Sequence, residues 1–199
     1  TIDVRQFFAK AQQLYGDRQW KLAPHDALDK LMDFFAARLR NYFMSQGQDT
    51  LLVDAALGAG AEDVKDCGAR LAALAAFSQA TDYEAAVQTF KRVANILRKQ
   101  GQAEELSDHW DPALLREDAE KALATTLEEM LPRLDALWAT HDHAAALACL
   151  SDVRPAVDAF FAGVMVMCDE ADLRHNRLSM LHGLGSRFAR LADFSALQM

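Results

Sequence analysis

The residues best equipped for chemistry lie in one short run, Phe90-Lys91-Arg92-Val93-Ala94-Asn95-Ile96-Leu97-Arg98-Lys99. On a helix turning about 100° per residue, Asn95, Arg98, Lys99 and Arg92 all fall within about 100° of Lys91, while Phe90, Val93 and Leu97 fall on the other side. One face is then a cationic strip carrying a single amide. Lysine and arginine hold phosphates, and asparagine can both donate to and accept from a base edge, so the chemistry this strip suits is recognition of RNA. The same pattern also describes a solvated helix end, where the macrodipole favours Lys and Arg.

Arg40 and Asn41, beside Arg38 in Arg38-Leu39-Arg40-Asn41-Tyr42-Phe43, form a smaller second group that faces away from its helix's apolar stripe. Tyr42 falls on the apolar side and is expected in the core; Phe43 could offer a surface for an unstacked base. Arg177 sits among Leu173, Leu181, Leu184, Phe188 and Leu191 at helical spacing, so it points inward. A guanidinium keeps its proton and is rarely buried alone. Asp158, at the edge of the stripe formed by Val157, Phe161 and Met165, is the expected partner.

Other groups carry less. In His141-Asp142-His143, two histidines at i, i+2 cannot share one helix face, and no further ligand pair is spaced to help, so no metal is expected. His109-Trp110-Asp111 reads as a joint and cap, and His175 and His182 as surface contacts on the last helix. The chain has no phosphate-cradling glycine loop, nucleophile elbow or His-Glu-x-x-His. No catalytic residue is assigned, and binding is the expected work.

The elements that must position these groups are helical. With 51% hydrophobic and 25% charged residues over 199 positions, the chain can build a substantial core. Only 4 prolines and 9 glycines interrupt it, and alanine and leucine dominate its apolar content, so we expect an all-α helical bundle. The longest uncharged apolar stretches, near Leu71–Thr81 and Ala159–Cys168, fall short of the roughly 18–20 residues of a bilayer span, and no membrane role is expected. Thr1 in first place, with no basic-then-apolar leader, points to a piece of a longer chain. Cys67, Cys149 and Cys168 show no Cys-x-x-Cys spacing and fit a reducing cytoplasm. Residues 1–101 hold 13 Lys/Arg against 12 Asp/Glu, and residues 102–199 hold 8 against 17. Bulk attraction to nucleic acid is therefore absent, and any RNA contact must be local.

Helices are predicted over 3–15, 26–46, 50–57, 61–77 and from a Thr81–Glu84 capping box to Gln100, with Gly16 and Gly47 as C-terminal stops. Asp111-Pro112 should start a long helix through Trp138, kinked at Pro132. Helices over 142–150, 154–167 and 171–191 follow. Residues 1–24 form an N-terminal helix and joint, partly linker; residues 25–199 form the main helical domain, with a mobile connector near 102–110.

The ordered set of strings resembles a known family. Asp33-Phe34-Phe35-Ala36-Ala37-Arg38-Leu39-Arg40, Val53-Asp54-Ala55-Ala56-Leu57, Lys91-Arg92-Val93-Ala94-Asn95-Ile96-Leu97, Glu120-Lys121-Ala122-Leu123, Val157-Asp158-Ala159-Phe160-Phe161 and Leu173-Arg174-His175-Asn176-Arg177-Leu178 look like the C-terminal region of the β subunits of bacterial heterotetrameric glycyl-tRNA synthetases. The closing motif is shared with the DALR-type anticodon-binding domain of class I arginyl-type synthetases; Asp-Ala-Leu-Arg appears here as Ala171-Asp172-Leu173-Arg174. The resemblance implies a cytoplasmic helical domain that binds the anticodon arm of the tRNA for glycine, not DNA, and that partners an α subunit and the rest of β. It implies no cofactor in this piece, with ATP and magnesium bound elsewhere in the parent enzyme. Lys91, Arg92, Arg98 and Lys99 would hold phosphates, with Asn95 or the Arg40/Asn41 pair near bases. Three alternatives remain: a subunit-docking domain without base contacts, the anticodon domain of an arginyl-type enzyme, and a small helical enzyme with a dispersed site.

Overall fold

Short carboxylates start four of the eight described α-helices. In the computed structural model, which describes residues 2–16, 21–100 and 106–197, the side chains of Asp3, Asp49, Asp63 and Asp142 accept from backbone amides at the heads of α1 (Val4–Gln13), α3 (Thr50–Gly58), α4 (Val64–Phe77) and α7 (His143–Gly163). Each satisfies N–H groups that no helical carbonyl can reach. Pro24 opens α2 (Pro24–Ser45), and Gly16 and Gly47 end α1 and α2 in the left-handed region, at φ 61° and 80°. The other helices are α5 (Tyr83–Gln100), α6 (Asp118–Ala139) and α8 (Ala171–Phe188). Two 3-10 turns, Pro112–Leu114 and Phe194–Ala196, complete the order, and no strand occurs among the described residues. The all-α expectation is met.

The helices share one core. Leu123, Leu127 and Leu134 of α6 and Leu147, Leu150 and Val157 of α7 are buried between these two helices and their neighbours. Each fully buried leucine contributes about 1.5–3 kcal/mol. On the other side α5 lies against α8 and the last 3-10 turn through an aromatic cluster, Phe90, Phe188 and Phe194, with ring centres 5.1–5.5 Å apart. Here α8 is gripped from two sides. At the edge, α1 leans on α2 through Phe8 and Phe35 and an Arg5–Asp29 pair at 2.9 Å, but buries none of its residues.

Several boundaries differ from the sequence-based prediction. Asp82, not Thr81, accepts the first hydrogen bond of α5, and the helix begins at Tyr83. Asp111 caps only a 3-10 turn, after which Leu115 is extended and α6 restarts from Glu117. The expected break at residues 151–153 is absent: one helix, α7, runs through it and on through Pro155, although proline offers no N–H to Ser151, because Val153 and Val157 are wholly buried. The helix ends instead at Gly163, with Val164 extended. On α2 the buried positions are Met32, Leu39 and Phe43, so Tyr42, expected in the core, is 56% exposed and Phe43 lies inside.

Arg177 is buried as expected, but its partner is not Asp158. Its Nε donates to Glu120 of α6, whose side chain is fully enclosed, and its Nη1 donates to the Met165 carbonyl at 2.9 Å. The second oxygen of Glu120 accepts from the amides of Arg116 and Glu117 at 2.7 and 2.8 Å. Burial pushes the Glu120 carboxyl up, but the Arg177 guanidinium and the two amides outweigh it and hold the group below the ordinary glutamate range. Asp158 is half exposed on the flank of α7 and takes Thr89 Oγ1 at 2.7 Å and Arg154 at 3.2 Å. It ties α7 to α5.

Of the expected mobile connector, residues 101–105 lie outside the described residues. The remainder is fastened to α8: Asp108 pairs with Arg187 at 2.8 Å, and the backbone of Asp111 exchanges two hydrogen bonds with Asn176, at 2.7 and 3.0 Å.

Candidate nucleic-acid interface

The strip on α5 exists because the opposite side of that helix is anchored. Ala86, Val87, Phe90 and Val93 are buried against α8 and the C-terminal turn, which fixes the rotation of α5 and turns Arg92, Arg98 and Lys99 outward, where all three are exposed. Gln88, Lys91, Arg92, Asn95, Ile96 and Lys99 line an open groove of about 500 Å³. No carboxylate among the described residues comes within 4.0 Å of Lys91, Arg92, Arg98 or Lys99. Among the described residues, then, no ion pair neutralises these four charges.

Three of them are nonetheless positioned, each by a different contact. Lys91 is half-buried and its ammonium donates to the carbonyl of Leu197, so the C-terminal segment holds this cation at the groove's wall. Arg92 sits over the ring of Phe161 of α7, its guanidinium carbon 4.1 Å from the ring centre, and the side chain remains exposed. Arg98 donates to Asn95 Oδ1 at 2.9 Å, which leaves the amide NH₂ of Asn95 to face outward as a donor. Phe161 and the Leu197 carbonyl are the two supports that sequence reasoning missed. Spacing puts Phe161 in an apolar stripe, and nothing in that spacing announces that one edge of a core ring would carry an arginine.

The second predicted group is not a free cation. Both Nε and Nη2 of Arg40 engage the carboxylate of Asp54 on α3, the Nη2 contact at 2.9 Å. This fork pulls the Asp54 carboxyl down, while partial burial pushes it up, and the net position is below the ordinary aspartate range. Arg40 therefore fastens α2 to α3, and only Asn41 of that pair remains exposed and uncommitted. Asp158 and Arg177, expected as an ion pair, bond to different partners as described above.

One group that spacing argues against is brought together by the fold. His141 does not belong to a helix; it occupies the joint after α6, so the bar on i, i+2 histidines sharing a helix face does not apply. Its Nδ1 and His143 Nε2 both reach Asp66 Oδ1, at 2.8 and 2.9 Å, and Arg70 holds Asp66 Oδ2 at 2.8 Å. No helix of the described residues is long and apolar enough to cross a membrane.

Residues 87–192, from α5 through α8, match the family model of the DALR anticodon binding domain. The chain is 58% identical over 200 aligned residues to the glycine–tRNA ligase beta subunit of Nitratidesulfovibrio vulgaris strain Hildenborough, covering 100% of this chain and 29% of that protein. It is similarly 48% identical to the beta subunit of Solidesulfovibrio magneticus, over 100% of this chain and 29% of that protein. With that of Vibrio parahaemolyticus the identity is 37%, over 100% of this chain and 28% of that protein. The chain thus spans less than a third of the length of these relatives.

Proposed function

The chain belongs to the DALR anticodon binding domain family, and on that premise we propose that it recognises the anticodon arm of the tRNA for glycine as part of a glycine–tRNA ligase β subunit. The groove on α5 is the contact surface. Arg92, Lys99 and the outer donors of Arg98 grip backbone phosphates, and the Asn95 NH₂ lies where a base edge can accept from it. Glycine attachment, with its ATP and magnesium, takes place elsewhere in a cytoplasmic assembly with an α subunit and the remainder of β. What carries this reading is a row of cations, three of them oriented by neutral partners and none cancelled by a carboxylate among the described residues.

Orientation matters for the energetics. A guanidinium already stacked on Phe161 loses less side-chain freedom on binding than a free arginine, whose rotamer entropy is about 2 kcal/mol. Lys91 contributes structure as much as charge, because its ammonium is shared with the Leu197 carbonyl.

The test is the triple variant Arg92→Glu/Arg98→Glu/Lys99→Glu in the full-length subunit, titrated with the tRNA for glycine over a range of salt. Each lost phosphate contact should lower the slope of log affinity against log salt by about 0.7–0.9, or roughly 2–3 in all. Unchanged tRNA affinity and slope together with failed α–β assembly would make this surface a docking face instead.

A further inference from the structure

The Asp66–His141–His143 trio stands apart from the α5 groove and joins three segments. Asp66 lies in the first turn of α4, His141 in the joint between α6 and α7, and His143 at the head of α7. One ligand atom from each, Asp66 Oδ1, His141 Nδ1 and His143 Nε2, falls within 4.8 Å of the others. We propose that these three side chains form a binding site for one divalent transition metal ion of the zinc class, which fastens α4 to the α6–α7 joint.

The donor set suits that ion. Two imidazole nitrogens and one carboxylate oxygen are the protein ligands of sites that keep a fourth, solvent-filled position. That position has a way in: the His141 side chain is 57% exposed, against 3% for His143. Tetrahedral zinc, with bonds of about 2.0–2.1 Å, sets its ligands about 3.3–3.4 Å apart. The two observed contacts must each open by about half an ångström: the half-free His141 ring moves for its own, and a small turn of the Asp66 carboxylate opens the one to the buried His143. Each neutral imidazole shifts its proton to its other ring nitrogen and offers the freed lone pair to the ion.

A second observation is the backbone at His141. It is the sole non-glycine with positive φ among the described residues, at 56°. This is the residue after the last cap of α6, a place usually taken by glycine or asparagine. Left-handed geometry is unfavourable for an ordinary side chain. The strained conformation is what swings the imidazole onto Asp66, and strain kept in a folded chain clusters at functional positions.

The surrounding contacts hold the trio in place. Arg70 binds the far oxygen of Asp66 and is itself fixed by the carbonyls of Ala56, Leu191 and Gly60, so the near oxygen is left facing the two rings. Such outer partners orient ligands in known metal sites. His143 packs on Trp138, ring centres 5.3 Å apart. Burial pushes the His143 ring toward its neutral, ligating form, and Arg70 and His141 hold Asp66 ionised against the opposing effect of its burial. The positive charge of Arg70 works against a dication, so micromolar affinity is expected rather than the tighter binding of an all-anionic site.

The experiment is titration of the full chain with Zn²⁺ by calorimetry, and with Co²⁺ by visible absorption. The expected result is one ion per chain, a tetrahedral Co²⁺ spectrum without thiolate charge-transfer bands, and at least tenfold weaker binding in His141→Ala. That residue is exposed, so its replacement leaves the core intact; Asp66→Asn, checked for folding by circular dichroism, should weaken binding as much. Binding unaffected by His141→Ala, a cobalt–thiolate band, or no retained metal would each overturn the assignment.

Discussion

Replacing Glu120 by glutamine tests the central buried contact with the smallest change in shape. The carboxylate serves three donors: Arg177 Nε on one oxygen and the amides of Arg116 and Glu117 on the other. Glutamine has one acceptor oxygen, so its NH₂ must face either the guanidinium or the two amides. In the first case a buried arginine loses its counter-charge, which costs about 3–5 kcal/mol. In the second, two backbone hydrogen bonds of about 1–1.5 kcal/mol each are lost and the guanidinium faces a neutral oxygen. Either way we expect about 3 kcal/mol or more, which for a chain of this length lowers Tm by about 6–12 °C. Urea unfolding followed by circular dichroism measures it, with an unchanged m-value showing that the denatured state is not the cause. The half-exposed Asp158 should behave differently: Asp158→Asn is expected to cost less than about 1 kcal/mol. The Glu120 contribution is also pH-dependent. Its folded-state pKa lies below the ordinary 4.5, so the stabilisation is fully present above that value and fades as pH falls through the depressed one. The wild-type protein should therefore lose stability more steeply than Glu120→Gln in this acid window. A loss under about 1 kcal/mol for Glu120→Gln, or a larger one for Asp158→Asn, would show that Arg177 is not compensated by Glu120.

Two further substitutions bear on how the groove is held. A Cβ at Gly58 would stand 2.7 Å from Asp193 Cβ, where the Asp193 amide bonds the Ala55 carbonyl at 2.8 Å; Gly58→Ala should cost about 1–3 kcal/mol in chemical denaturation and open the C-terminal segment to proteolysis. Arg40→Ala removes an ion pair about one third exposed on each side; it should change stability by less than about 1 kcal/mol and leave tRNA affinity in filter binding within about twofold, since Asp54 already occupies the guanidinium.

Features whose determinants are local are legible in the amino-acid sequence; those set by packing between helices are not. The helix starts near Asp3 and Asp142, the stops at Gly16 and Gly47 and the inward face of Arg177 follow from spacing along one helix, and all appear where spacing puts them. Glu120 is legible in part: it falls in phase with Leu123, Leu127 and Leu134, so its burial follows from the same periodicity that buries Arg177. Choosing it over Asp158 needs the packing of α6 on α8, which no single helix encodes. The gap expected at residues 151–153 does not form because the burial of Val153 and Val157 holds one continuous helix there, and tertiary packing overrides the local pattern. His141 escapes notice because a left-handed histidine looks, in sequence, like any residue near a helix start.

The net charge of −8 bears on the proposed role through range rather than sign. At physiological salt the Debye length is about 8 Å, so acidic residues farther than that from the α5 groove scarcely affect a phosphate already seated there. During encounter they act otherwise: an overall negative surface repels RNA and strips away the non-specific attraction that basic proteins enjoy. What survives is contact at the groove itself, where Lys91, Arg92 and Arg98 are held by Leu197, Phe161 and Asn95 and Lys99 meets no carboxylate among the described residues. Holding these cations with neutral partners is the arrangement that keeps their charge available. Had carboxylates oriented them, as Asp54 orients Arg40, the geometry would be as well defined and the attraction for phosphate largely gone.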